Sequence, residues 1–289
     1  MSKIKLISDS ACDIPKELEE KYDIRIIPFP ICVGDKSMFD REMDNMDFYE
    51  LIANSPDLPT HSQINVFQFE EIFKDYAQQG YTDVIYIAIA QRGSATYSNA
   101  VLAAENLKDD PLFKDKCNLY IVDSGGYSGA TGYPIIQAAI KAEKGATGEE
   151  LVSYLNEIYA CSEMIFGVYT LEFVKKSGRV KAAAAFAGEL LGLRPIITLN
   201  QGISEVPAKV RGDKNVIPKI VDIVAANIIP QSPYVTLSSM DREQPKELAK
   251  LLTERLGYPP EMDFMIGGVI SANTGPKMIG VGYRKKPKE

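Results

Sequence analysis

Short apolar runs alternate with amphipathic stretches through the first half of the chain. Lys3 to Ile7, Ile24 to Val33, Asp83 to Ile89 and Asn118 to Val122 read as strands, each bounded by polar or turn-forming residues. Helices fall between them, and strands alternating with helices build a parallel sheet covered on its faces. Pro15, followed by Lys16, Glu17 and Leu18, opens a helix whose free N–H groups the Asp13 carboxylate is placed to cap. Phe67, Glu70, Glu71, Phe73, Lys74 and Tyr76 lay one apolar face along a second helix, which Gly80 ends. Thr96 to Leu107 and Pro134 to Lys144 form two more, the latter stopped by Gly145. Thr147 with Glu150 three residues on is a capping-box pattern, and it starts a helix running to about Tyr159.

The rhythm then changes. Glu163 to Thr170 reads as a strand, Leu171 to Lys176 and Phe186 to Leu191 as short helices. Arg194 to Leu199, the turn Asn200-Gln201-Gly202 and Ile203 to Val210 form a β-hairpin, a unit that parallel sheets do not supply. Val216 to Ile228, Tyr234 to Ser239, Glu243 to Leu256, Phe264 to Ile270 and Met278 to Tyr283 complete a mixed sheet with helices. The fold class is therefore α/β. An N-terminal domain with a mainly parallel sheet spans residues 1–155, and a C-terminal domain with a mixed sheet spans 156–289, the boundary falling near 146–162.

A length of 289 residues agrees with two domains at ~100 to 200 residues each, and two packed domains leave a cleft. The 32 Lys plus Arg against 39 Asp plus Glu give a formal charge of −7, which suits a phosphate backbone poorly. No nucleic-acid partner is expected. The single histidine, His61, excludes paired-His zinc hydrolases and leaves one residue for any Ser-His or Cys-His chemistry. Cys12, Cys32, Cys117 and Cys161 are widely spaced with no C-x-x-C pair, so neither a metal site nor a disulfide framework is expected. The start, MSKIKLISDS, reads as a strand rather than a signal peptide, and no apolar run reaches the ~20 residues of a membrane span. These features fit a cytoplasmic protein.

Six polar constellations stand out, each with an ordinary structural reading beside a functional one. Ser8-Asp9-Ser10-Ala11-Cys12-Asp13 follows the first strand, where open α/β sheets place ligands, but the same residues dominate turns and caps. Asp123-Ser124-Gly125-Gly126-Tyr127-Ser128-Gly129-Ala130-Thr131-Gly132 leads from a strand into a helix. Its glycines permit either an anion at the helix start or tight packing on the sheet. It lacks the G-x-G-x-x-G order and any G-K-[ST]. Thr60-His61-Ser62-Gln63 and Gly93-Ser94-Ala95-Thr96-Tyr97 put hydroxyls at a sheet edge, as ligand donors or helix caps. Asn273-Thr274-Gly275-Pro276-Lys277 reads as a turn between strands, and Lys175-Lys176-Ser177-Gly178-Arg179 as a basic patch.

Together and in this order the sites resemble the DegV family over almost the full length. The agreeing motifs are Ser8-Asp9-Ser10 with Asp13, Ser62-Gln63, Ser94 with Thr96-Tyr97, and Asp123-Ser124 with Ser128-Gly129 and Gly132. Leu171-Glu172 with Gly178-Arg179, Arg194-Pro195-Ile196 and Thr274-Gly275-Pro276 complete the set. The resemblance implies a three-layer α/β/α N-terminal domain, a two-layer C-terminal domain with a mixed sheet, and a long-chain fatty acid held between them. It implies a carrier without catalysis or cofactor of its own, of the bacterial fatty-acid-kinase type. Such a carrier holds the acid while a separate kinase catalytic subunit phosphorylates the carboxylate. His61, Ser62, Ser94, Asn273 and Thr274 are then the carboxylate site, Ser10, Gly93, Ala95, Ser128 and Gly129 its surrounding loops, and Arg179 the kinase-docking residue. Transient contact with a membrane is compatible with that role, and a membrane span is not expected. At ~0.8 kcal/mol per buried methylene, a tail of about fifteen dominates affinity, and the head group sets orientation.

Three sites depart from the family pattern. His61 stands where a threonine is usual and Ile64 where a proline is. Gly93 and Ala95 flank Ser94 in place of a small hydrophobic residue and a glycine. Asn273 and Lys277 replace the histidine and glycine around Thr274-Gly275-Pro276. His61 has two readings: an imidazolium pairing with a carboxylate, or a space-filler beside a different ligand. Two rival functions remain, a stand-alone lipid sensor or storage protein, and an acyl hydrolase using Ser94 or Ser62 with His61.

Overall fold

The structure is a computed structural model and describes residues 3–180 and 192–287. The N-terminal half runs β1 (Ile4–Asp9), α1 (Lys16–Lys21), β2 (Arg25–Ile27), β3 (Pro30–Val33), β4 (Lys36–Phe39), α2 (Asn45–Asn54), β5 (Thr60–His61), α3 (Val66–Gln78), β6 (Asp83–Ala88), α4 (Thr96–Leu107), β7 (Asn118–Asp123), α5 (Gly129–Glu143) and α6 (Gly148–Cys161). Strands β2-β1-β6-β7 form one sheet, parallel throughout. Its central strand β6 is buried along its whole length, as a doubly covered parallel strand must be. Helices α3 and α4 pair in one covering layer, α5 and α6 in the other. The capping box that starts α6 forms as its sequence predicts, and Asn65 with Gln68 makes a second one at α3.

The C-terminal half runs β8 (Ser162–Val168), α7 (Glu172–Ser177), β9 (Leu193–Asn200), β10 (Ile203–Arg211), α8 (Val216–Asn227), β11 (Tyr234–Ser238), α9 (Gln244–Leu256), β12 (Asp263–Met265), α10 (Gly268–Thr274) and β13 (Met278–Arg284). The six strands order as β10-β9-β8-β13-β11-β12, antiparallel except for β11 with β12. The predicted β9-β10 hairpin is present. Helices α8 and α9 pack on this sheet around a second apolar core, while α5 reaches β8, β11 and β13 from the first domain. One continuous core therefore crosses the seam, from Ile7 and Ile87 through Ala130 to Phe166, Leu237 and Phe264.

The glycines of the Asp123–Gly132 loop belong to this packing. A Cβ at Gly129 would lie 2.6 Å from Phe264 Cδ2, and one at Gly132 would lie 2.8 Å from Phe264 Cε1 and closer still to the Cys12 carbonyl. The packing reading of these glycines, rather than the anion reading, accounts for both positions.

Several expectations need correction. Ile24 to Val33 is not one strand but β2 and β3, which belong to different sheets, because β3 turns away to pair antiparallel with β4 and β5. That small sheet and α2 carry no strong periodic signal. Asp13 does not cap α1, whose start at Pro15 has no side-chain cap; its carboxylate turns to the other domain instead. Phe264 to Ile270 splits into β12 and the start of α10, so Asn273 and Thr274 end a helix rather than form a turn between strands. The helix expected at Phe186 to Leu191 lies outside the described residues. Among those residues no helix is long and apolar enough to cross a membrane.

Candidate ligand-binding slot between the domains

The carboxyl ends of β1, β6 and β7 meet α10 across the seam, where open α/β sheets bind ligands. Below the start of α10 sits a polar cluster. Asp9 Oδ2 accepts from Tyr86 OH at 2.7 Å and Ile89 N at 2.8 Å, fixing the exit of β6. Asp13 Oδ1 accepts from Gly267 N at 2.9 Å, Tyr49 OH donates to Ile266 O, and Asp40 Oδ1 accepts from Phe29 N at 3.0 Å. Ser128 faces Asp13, yet Ser128 Oγ, Asp13 Oδ2, Asp9 Oδ1 and Asp40 Oδ2 are buried without a partner among the described residues. Burial pushes the three carboxyls up, Asp9 to about 6, Asp40 to about 7 and Asp13 to about 8. No three His, Cys, Asp or Glu side chains among the described residues group as a metal-binding set.

Above it, toward the other end of α10, lies a narrow slot with about 40 Å³ of free space. Ile89, Met164, Phe166, Val180, Leu199, Val269 and Ile270 supply its apolar wall. His61, Gly93, Tyr127, Arg179, Asn273 and Thr274 supply the rest. That is far less than a long acyl chain occupies, so such a chain enters only if side chains such as Met164 move.

Asn273 Nδ2 lies 2.7 Å from Val269 O and 3.1 Å from His61 Nε2. A carbonyl only accepts, so the Asn273 atom beside Val269 is the amide nitrogen, and its second hydrogen points at Nε2. His61 Nε2 is then the unprotonated nitrogen and Nδ1 carries the proton. Burial, foremost, and the nearby Arg179 charge lower the His61 pKa from 6.5. An Asn273 carbonyl facing the ring would oppose them, but with the amide nitrogen there this contact also favours the neutral ring. Without a ligand, burial and the Arg179 charge disfavour the imidazolium that a bound carboxylate would favour.

Of the residues predicted for the site, His61, Gly93, Asn273, Thr274 and Arg179 line the slot together. The hydroxyl of Ser94 faces its own helix start, 2.9 Å from Thr96 Oγ1 and accepting from Thr96 N. Thr96 Oγ1 accepts from Ile64 N and Asn99 Nδ2 donates to Ile64 O, which ties the Ser94 loop to the His61 strand. Ser62 and Ala95 are exposed and lie outside the lining. Ser10, Ser128 and Gly129 are buried in the seam below α10 rather than in the slot, because Ser10 Oγ accepts from Phe29 N and Gly129 packs on Phe264. Thr274 Oγ1 donates back to Ile270 O at 3.0 Å. Arg179 is exposed at the slot's rim. Tyr127 also lines the slot, and sequence pattern does not single it out; its only signal there is its place in the loop after β7.

The family model described as uncharacterised protein, DegV family, matches residues 3–286. A DegV domain-containing protein of Clostridium perfringens is 32% identical over 98% of this chain and 99% of its own. A fatty acid-binding protein of Thermotoga maritima is 30% identical over 97% of each chain. The crystal structure of a DegV lipid binding protein from the same organism superposes with a TM-score of 0.84 at 28% identity, covering 99% of this chain and 100% of that one. With matches that span almost the whole length, the chain belongs to the DegV family.

Proposed function

We propose that this protein binds a long-chain fatty acid in the slot and presents its carboxylate at the rim to a separate kinase subunit. The observation that carries this reading is the make-up of the slot. An apolar wall drawn from both domains ends in hydrogen-bonding side chains, His61, Asn273 and Thr274, with the exposed Arg179 beside them. The lipid- and fatty acid-binding descriptions of the Thermotoga relatives support it. Burial of the tail supplies affinity at ~0.8 kcal/mol per methylene, and the polar side chains at the slot's end, once turned from their present partners, orient the head while leaving a carboxylate oxygen to attack a phosphoryl group. Ser94 stays in the reading as a donor that turns from Thr96 to the ligand.

A carrier of this kind performs no chemistry itself. The bonds of the slot favour that over an acyl hydrolase, since His61 Nε2 meets Asn273 and Ser94 meets Thr96, so no serine of the slot is paired with the ring. The test is to denature the purified protein, extract it, and identify released small molecules by mass spectrometry. A stoichiometric long-chain acid is the expected result. A protein that releases none, and takes up none after delipidation, ends the proposal. For the kinase step, Arg179→Ala is expected to abolish partner-dependent acyl-phosphate formation even when the protein is saturated with lipid; unchanged phosphorylation removes Arg179 from the docking role.

A further inference from the structure

Gly93 and Tyr127 occupy one another's space. A Cβ at Gly93 would lie 3.1 Å from Tyr127 Cζ and overlap the phenol oxygen outright, so only a residue without a side chain at 93 lets that ring lie where it does. The backbone that presents the ring is fixed on both sides. Before it, Gly126 N donates to Ser124 Oγ and Gly202 N to Gly125 O; after it, Ser128 N donates to Ala11 O at 2.7 Å. The ring is partly buried against the core, and its hydroxyl has no hydrogen-bond partner among the described residues although it borders the slot. The group keeps its proton at neutral pH, because burial and the Asp123 charge push its pKa up to about 12 against the opposing Arg179 charge.

We propose that Tyr127 is a specificity-determining residue of the slot, donating a hydrogen bond to the anionic head of the acyl ligand through the space that Gly93 leaves open. This rests on the fatty-acid reading above and deepens it. The head-group end then gathers polar side chains from a strand, a helix and a loop, His61, Asn273 and Tyr127, in place of hydroxyls alone. Because the phenol can meet only the head, its contribution depends on the carboxylate and not on the tail.

The test compares palmitic acid with the saturated alcohol of the same chain length, by competition for a fluorescent fatty acid. Tyr127→Phe is expected to weaken palmitate roughly tenfold while changing the alcohol little, since a hydrogen bond to a charged group is lost and the ring remains. Gly93→Ala is expected to displace the phenol and cause a similar loss, with little further loss when added to Tyr127→Phe. Equal palmitate affinity in wild type and Tyr127→Phe overturns this inference alone. So does a Tyr127→Ala variant that binds palmitate as tightly as wild type, which would make the ring a plug. A wild type that binds neither ligand overturns the fatty-acid reading with it. The ratio of acid to alcohol affinity does not depend on the fraction folded, so it decides the question in a less stable variant as well.

Discussion

The two ends of α10 meet the same N-terminal strands on different terms. At its start, the Gly267 amide is taken by the buried Asp13, Ile266 O by Tyr49, and Gly268 lies so close to Asp40 that a Cβ there would come within 2.9 Å of the Asp40 Cβ. At its end, Asn273 and Thr274 border free space, and the neighbours are movable side chains such as Met164 and Tyr127. The difference is one of partners: backbone and buried carboxyls at the start, rotatable groups at the end. A helix clamped at one end and adaptable at the other can hold its position while the slot changes shape around a ligand.

Two glycines test that contrast most severely. Gly132→Ala forces a methyl against the Cys12 carbonyl and the Phe264 ring, and a backbone carbonyl cannot swing aside as a side chain can. It is expected to cost roughly 3 kcal/mol or more of stability by denaturant melting. Gly93→Ala meets only the tip of Tyr127, which can swing aside, and is expected to cost about 1 kcal/mol or less. Equal losses at the two sites would erase the distinction between a clamped and an adaptable end.

The clamped end also predicts how stability follows pH. Asp9, Asp40 and Asp13 are raised from 3.8 to about 6, 7 and 8, so the folded state holds protons that the unfolded chain has released. Their stabilising effect is complete below about pH 4 and is lost as pH rises toward 8. His61 works in the opposite sense but as a single group below its ordinary 6.5. Thermal melting is expected to show a lower midpoint at pH 8 than at pH 5, by an amount equivalent to several kcal/mol. Asp13→Asn should flatten the slope. A midpoint that is level or rises over that range would mean these carboxyls are not desolvated as the structure places them.

Much of the fold is legible in the sequence where the signal is local and periodic. The parallel strands, the capping box at Thr147 and the β9-β10 hairpin follow from alternation, caps and a turn. The slot is legible only in part. His61, Gly93, Asn273, Thr274 and Arg179 come from motif order, but no local rule says which way a hydroxyl turns. Ser94 bonds within its own helix start, and Ser10 and Ser128 are drawn into the seam. Tyr127 escapes because its role depends on a contact with Gly93, and such a pairing exists only once β6 and β7 lie side by side. Asp13 escapes for the same reason, its partner being 254 residues away.

The smallest expected effect is also the most direct reading of the adaptable end. His61 is the only histidine of the chain, so its ring protons give one unambiguous set of titrating resonances in a proton NMR spectrum. Burial and the Arg179 charge both disfavour the imidazolium, so the midpoint in delipidated protein is expected below 6.5. Arg179→Gln removes one of the two causes and leaves burial, so the midpoint should rise without reaching that of a free side chain. Adding palmitate to the wild type brings a negative charge to the same place and should move the midpoint in the same direction. If Arg179→Gln leaves the titration where it was, the guanidinium does not face the ring, and the rim of the slot is arranged differently from the structure. If palmitate alone leaves it there, the carboxylate lies away from His61, and the donors that orient it must be sought among Tyr127, Asn273 and Ser94.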